Sequence, residues 1–261
     1  MLETRGAPRD QGRIQAQRLP TEIRDAIAAL RGARGALRWR QELRGAERGV
    51  GRSLSRFAPQ LHERLQGIAW NCDLPVAALV LAESVWRGTV RALAKDGAIE
   101  ARVAPPAGLD CIIRTTRPDA GGFPSAELTC APLASALAGV NGCGIAVACL
   151  DSGPRTALPA RVLVSDVLLR TRSFAAALDH VQRRAHYLQA TGSLLVASAD
   201  GEAAQLELRA GRMRVVSPSM ADGNARNLRL DASTCALEWG RGTPLERVLA
   251  PSLPSEVDPA A

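Results

Sequence analysis

Six cysteines, at positions 72, 111, 130, 143, 149 and 235, have the widest chemical reach of any residues in this chain. A thiolate serves as nucleophile, metal ligand or redox group, according to its surroundings. None of the six forms a CxxC pair matched by a second such pair, so the spacing does not describe a structural zinc site. Cys111 follows Gly108–Leu109–Asp110 and opens the apolar run Ile112–Ile113, which puts its thiol at the start of a strand. It is the best nucleophile candidate, although simple packing within a sheet accounts for the same position. Cys143 sits in the turn Asn141–Gly142–Cys143–Gly144 and reads as a spacer there. The other four cysteines read as small buried hydrophobes. His62, His180 and His186 are too dispersed for a metal set, and the last two do not share a helical face. Gly-x-Ser-x-Gly, phosphate-loop and dinucleotide glycine motifs are all missing. Asp110, Asp151 and Glu127 are acids at strand ends that could flank a pocket. No metal and no cofactor is therefore expected.

The elements that must position these residues alternate between helices and strand pairs. The apolar spacing of Ile23, Ile27, Leu30, Leu37 and Leu43 predicts a helix over 20–48, weakened by Gly32, Gly35 and Gly45. Leu61, Leu65, Ile68 and Ala69 predict a second over 58–72, and Pro75 starts a third that runs to about Ala94. Strands are predicted at Cys111–Thr116 and Phe123–Cys130, then at Ala134–Val140 and Ile145–Leu150. Residues 160–190 hold two helical stretches, the second capped by Ser173. Residues 192–209 form a strand, a turn at Ala199–Glu202 and a returning strand, and Met213–Val216 is one more. Strands that arrive as hairpins imply mainly antiparallel sheets, hence an α+β fold. The organisation is one domain over 1–250, with a disordered Pro- and acid-rich tail over 251–261.

Composition bounds the partners. The chain has 261 residues, a net charge of +7 and 46% hydrophobic residues, enough for a sizeable core. Of its 33 basic residues only Lys95 is not Arg, and fourteen Arg fall within residues 1–64 against seven acids there. A basic face attracts anions, but the charges are interspersed and no aromatics are interleaved with them, which argues against nucleic acid. No apolar leader or membrane span is legible, so the cytoplasm and no membrane partner are expected. Oligomeric state is not legible.

Several segments in order resemble the acyl-coenzyme A:6-aminopenicillanic acid acyltransferase (isopenicillin-N acyltransferase) family of N-terminal-nucleophile (Ntn) hydrolases. They are Gly6–Ala7–Pro8 with Gln11–Gly12–Arg13, Pro59 to Ala69 followed by Asp73–Leu74–Pro75, Arg114 to Gly122, Leu137 to Val147, Pro159 to Ala177, and Ser198–Glu202. The resemblance spans roughly residues 2–216. It implies an αββα sandwich and hydrolysis or transfer of an acyl group from a small amide or acyl thioester. It also implies a precursor that cuts itself before a cysteine, whose freed α-amine becomes the general base. An α-amine with a pKa near 7.7–8.0 suits that task, and an amide donor such as Asn stabilises the oxyanion. The family's Gly–Cys–Thr motif is missing here, and the stretch from Trp86 to Asp110 is too short for a full nucleophile strand and its successor. Elements around that strand are therefore expected to be lost. Cleavage between Asp110 and Cys111 would still expose an N-terminal cysteine, with Asn224 and Arg247 as the groups expected beside it. Two readings follow: an amidohydrolase or acyltransferase using Cys111, or a degenerate homologue that has kept the scaffold and binds a small ligand or partner. A basic, Arg-rich anion- or nucleic-acid-binding protein is a third.

Overall fold

A computed structural model describes residues 1–86, 89–95, 97–105, 108–119, 121–151, 158–216, 228–240 and 246–251. Its centre is an eight-stranded sheet. The strands lie in the order β1 (Leu2–Gly6), β4 (Cys111–Pro118), β5 (Ser125–Cys130), β6 (Ala138–Asn141), β7 (Ile145–Asp151), β8 (Gly192–Ser198), β9 (Ala203–Arg209) and β10 (Arg212–Val216). All neighbours are antiparallel except β1, which runs parallel to β4 with Leu2 opposite Arg114. A five-stranded antiparallel sheet covers one face, in the order β13 (Glu246–Leu249), β12 (Ala236–Trp239), β11 (Leu228–Asp231), β3 (Ala98–Ala104), β2 (Thr89–Lys95). The α+β class and the mainly antiparallel sheets agree with the reading from sequence.

Helices cover the other face. They are α1 (Pro8–Arg18), α2 (Pro20–Gly32), α3 (Ala36–Ala46), α4 (Arg52–Phe57), α5 (Pro59–Cys72), α6 (Val76–Val85), α7 (Val162–Arg170) and α8 (Phe174–Leu188), with a π-helical turn over Glu47–Gly51. Strand alternation divides the core accordingly. In β8, Leu194 and Val196 join Ile23, Leu65, Ile68 and Val167 under the helices, whereas Leu195 and Ala197 join Ile99, Leu128, Leu230 and Leu237 between the sheets. Among the described residues the outer face of the five-stranded sheet carries no such core. Arg91, Arg102, Arg229 and Arg247 stand exposed on it, and Glu100, Arg229, Glu238 and Arg247 sit opposite one another across four strands. Opposite charges on directly facing residues support a solvated sheet face. Among the described residues no helix is long and apolar enough to cross a membrane.

Three differences from the sequence reading have physical causes. The predicted 20–48 helix breaks at Gly35, whose φ of +70° disfavours any other residue, and restarts as α3. The predicted helix to Ala94 ends at Val85, and Thr89–Lys95 is strand β2 instead, held by seven facing residues of β3. The strand expected over Ala134–Val140 starts only at Ala138. Ser173 does cap α8, its hydroxyl accepting from Ala176 N–H at 3.3 Å.

The tightest packing is the crossing of α1 with α5. A Cβ at Gly12 would collide with the carbonyl oxygen of Arg64, and one at Gly67 with that of Arg9, both of them backbone atoms that cannot swing aside. Gly67→Ala is therefore expected to destabilise by roughly 1–3 kcal/mol or more, as overpacking does, although alanine favours isolated helices. Urea denaturation of the variant against wild type checks this; an equal or higher midpoint would show that the helices separate freely.

Candidate functional site

The α1–α5 crossing forms one wall of a cleft of about 410 Å³. Its floor is β4 and β5, and α7 closes the far side. Gly6–Pro8 and Gln11 enter from one rim, Pro59–Leu61 and Arg64 from α5, Thr116, Pro118, Asp119 and Gly121 from the β4–β5 hairpin, and Ser165, Asp166 and Leu169 from α7. Mostly apolar walls with a few convergent polar groups are what small-molecule sites have in common.

Under this cleft lies a buried charge cluster. Arg114, fully buried on β4, donates through Nε to Glu127 Oε2 at 3.0 Å and again through a second nitrogen. Its remaining donors reach Gln15 Oε1 at 2.7 Å and the carbonyl of Ala134 at 2.8 Å. Arg64 donates to Gln11 Oε1 and to Ala134 O at 3.2 Å, and stands 3.7 Å from Glu127 Oε2. Ser125 donates to the other Glu127 oxygen at 3.0 Å. Burial pushes the Glu127 carboxyl up, but Arg114, Arg64 and these hydrogen bonds together hold it below the usual carboxylate range. Burial and the charge of Arg114 pull Arg64 down to about 9 against the acids Glu127 and Glu83, leaving it cationic at neutral pH. The arrangement is one carboxylate shared by two guanidiniums.

The α7 wall repeats the theme. Asp166 Oδ2 lies 2.8 Å from His180 Nε2 and 3.0 Å from Arg184 Nε, and its Oδ1 accepts from Arg170 Nε at 3.1 Å. Burial raises its pKa, but His180 and then the two arginines lower it by more, so the net shift is downward. Glu127 and Asp166, both lining the cleft, are thus kept ionised. They can hold cations or polar hydrogens, and neither is poised to donate a proton.

The loop beneath is pinned by Asn141. Its amide donates to Leu168 O at 2.9 Å and Thr171 O at 2.7 Å and accepts from Cys143 N–H and Ile145 N–H at 3.0 Å each. Every hydrogen-bonding capacity of this buried side chain is used, which fastens the β6–β7 turn to the end of α7.

The catalytic candidates lie elsewhere. Cys111 is half-buried at the start of β4, and its side chain packs with the core between the sheets, on the opposite face from the cleft. Arg247 points outward from β13, 3.7 Å from Glu238 Oε1, while the next residue, Val248, faces inward. The fold does not bring Cys111 and Arg247 together. Asn224 lies outside the described residues, as do residues 252–261 of the expected tail. Glu127 was legible as an acid that could flank a pocket. Gln11, Arg64, Arg114 and Asp166 were not singled out, although all four fall within the segments that carry the resemblance. Among the described residues no group of three or more His, Cys, Asp or Glu side chains is arranged to hold a metal ion.

Fold and site together define a mixed α+β sandwich with a helix-walled cleft over a buried Arg–Glu–Arg cluster. No protein-family model matches the chain, and no curated protein matches it.

Proposed function

We propose that this protein is a catalytically degenerate relative of the Ntn acyltransferases and amidohydrolases, and that it binds a small amide or acyl thioester in the helix-walled cleft. One observation carries the reading. Four of the segments that resemble the acyltransferase family, at 6–13, 59–69, 114–122 and 159–177, are far apart in the chain and contribute residues to the cleft walls, whereas Leu137–Val147 and Ser198–Glu202 do not. The cleft offers ionised Glu127 and Asp166 with cationic Arg64, a set suited to orienting the polar ends of a ligand whose acyl part lies on the apolar wall. Its described lining contains no thiol, and Glu127 and Asp166 are locked in ion pairs, so binding fits it better than bond cleavage.

Titrating the purified chain with short N-acyl amino acids and short acyl thioesters, followed by thermal unfolding, tests this. A true ligand at a hundred times its Kd is expected to add about 2.7 kcal/mol of stability. Gln60→Trp, at the half-buried mouth, is expected to abolish that gain while the unliganded melting curve stays in place. Failure of every such compound to stabilise the wild type would sink the proposal.

The placement of Cys111 favours a second reading, catalysis. It is the first residue of β4 and half-exposed, following Gly108 with its φ of +78°. Intact-mass measurement separates the two readings. An uncut chain that carries no acyl group after incubation with the thioester is expected. Two fragments parted before Cys111 would assign the protein to the active amidohydrolases or acyltransferases instead.

A further inference from the structure

Cys111 and Cys130 face each other directly across β4 and β5. Both are free, and both pack with the core between the sheets, Cys130 fully buried and Cys111 half-exposed. Directly opposed residues of an antiparallel pair carry their side chains on the same face with Cβ atoms roughly 4.5–5.5 Å apart. A disulfide asks for about 3.5–4.5 Å between Cβ atoms, with Cα atoms roughly 4.4–6.8 Å apart. The small closing movement needed falls where the sheet can make it. Cys111 begins β4 and Cys130 ends β5, β1 pairs with β4 only from Arg114 onward, and β6 pairs with β5 only as far as Leu128. The two cysteines therefore close a two-stranded end that neither flanking strand holds in place.

We propose that Cys111 and Cys130 form a reversible, peroxide-sensitive dithiol/disulfide pair. Cys111 is the half that a hydroperoxide can reach. Its thiolate attacks the peroxide oxygen, the O–O bond breaks with release of hydroxide, and Cys111 becomes a sulfenic acid. The Cys130 sulfur then displaces that hydroxyl, forming the S–S bond, while the Cys130 proton leaves as part of water. In sum, two thiols and one hydrogen peroxide give one disulfide and two waters; the sulfurs are oxidised and the peroxide is reduced. The division of labour agrees with the chemistry of the pair. Hydrogen bonding to Cys111, followed by burial, pushes the Cys130 thiol well up, so Cys130 keeps its proton while Cys111 reacts. The bond would lock β4 to β5 three residues from Arg114 and Glu127, which face each other in the same register. This inference concerns the uncut chain and holds whatever ligand the cleft takes.

The test treats the full chain with hydrogen peroxide, alkylates it under denaturing conditions and maps the peptides without reduction. The expected result is loss of two hydrogens from the intact mass, a linked Cys111–Cys130 peptide, and return of both thiols with dithiothreitol. Cys130→Ser, which removes the resolving sulfur, is expected to leave Cys111 as a sulfenic acid that dimedone captures; Cys111→Ser is expected to give neither product. Six alkylatable thiols after peroxide would overturn the proposal, and so would a bridge mapped to any other pair, such as Cys143 with Cys235. The wild-type map decides the matter even if a variant fails to fold.

Discussion

Glu83→Ala is expected to lower folding stability by about 3–5 kcal/mol, the range seen when one partner of a buried ion pair is removed. Glu83 sits in α6 with no exposed surface, opposite an equally buried Arg161. Its Oε1 accepts from the N–H groups of Ala134 and Ser135 at 2.7 and 3.0 Å. Its Oε2 accepts from Ser135 Oγ at 2.6 Å and from Arg161 Nε and a terminal nitrogen at 3.3 and 3.2 Å. Arg161 also donates to the backbone carbonyls of Glu83 and Trp86. Alanine would leave the buried guanidinium without its counter-charge, holding only neutral oxygens, and two buried N–H groups without their acceptor, each a known source of large destabilisation. Glu83→Gln keeps one acceptor oxygen for the N–H pair and is expected to lose less. Arg161→Met alone is expected to be strongly destabilising, and the Glu83→Ala/Arg161→Met double variant less so than the sum of the two. Urea denaturation of wild type and the four variants gives the numbers. Strict additivity, or a Glu83→Ala loss below about 1 kcal/mol, would show that water reaches this site.

The same contacts explain why the β5–β6 connection, although it reads as strand, is not one. Ala134 to Leu137 are apolar enough to extend β6, and the sequence reading did extend it. In the fold the N–H groups of Ala134 and Ser135 go to Glu83 and that of Ala136 goes to Ser165 Oγ at 3.0 Å, so they are not available to a ladder. The competing partner is a side chain some fifty residues away in sequence, which local pattern does not register. Thr89–Lys95 failed for a related reason. Its Arg, Ala, Leu and Lys are good helix formers following a real helix, and only pairing with β3 and burial of Val90 and Ala92 between the sheets make it a strand. β1 was missed because its parallel pairing with β4 is made over a hundred residues away. The hairpins from Cys111 to Asp151 and from Gly192 to Val216 were legible because their strands are neighbours in sequence and alternate clearly.

The site divides the same way. Resemblance marked the segments that wall the cleft, yet it directed catalysis to Cys111, which alternation along β4 places on the other face of the sheet. Arg114 stands four residues before Pro118 in a run of polar residues, and nothing local announces that it is fully buried. Its burial follows from Glu127, which faces it in register on β5, and from Gln15 on α1. The cluster is made by four elements, β4, β5, α1 and α5, that meet only in the fold. Sequence pattern can name such residues only as polar positions on a strand.

Glu127→Gln tests whether that cluster holds the cleft together. The substitution keeps size and one acceptor but leaves Arg114 and Arg64 buried with no anion between them. A loss of about 3–5 kcal/mol at pH 7 is expected. The pH dependence carries the specific signature. Glu127 is held below its unfolded value, so its contribution is fully present above the unfolded carboxylate pKa of about 4.3 and is lost as pH falls through the folded value. Asp166, lowered likewise, adds to the same acid-side loss and is unaffected by the substitution. Wild type should therefore lose stability below about pH 4 more steeply than Glu127→Gln, and the gap between them should narrow as both clusters protonate. Denaturant titrations from pH 7 down to about pH 3 follow both curves across the carboxylate range. Parallel curves would mean that Glu127 is not the charge that balances Arg114. The ligand test adds a second axis, because a cleft whose floor has lost its anion should no longer be stabilised by the compounds that protect wild type. If Glu127→Gln loses stability but still gains as much from ligand, the cluster supports the sheet alone, and the ligand is oriented by the α7 wall through Asp166.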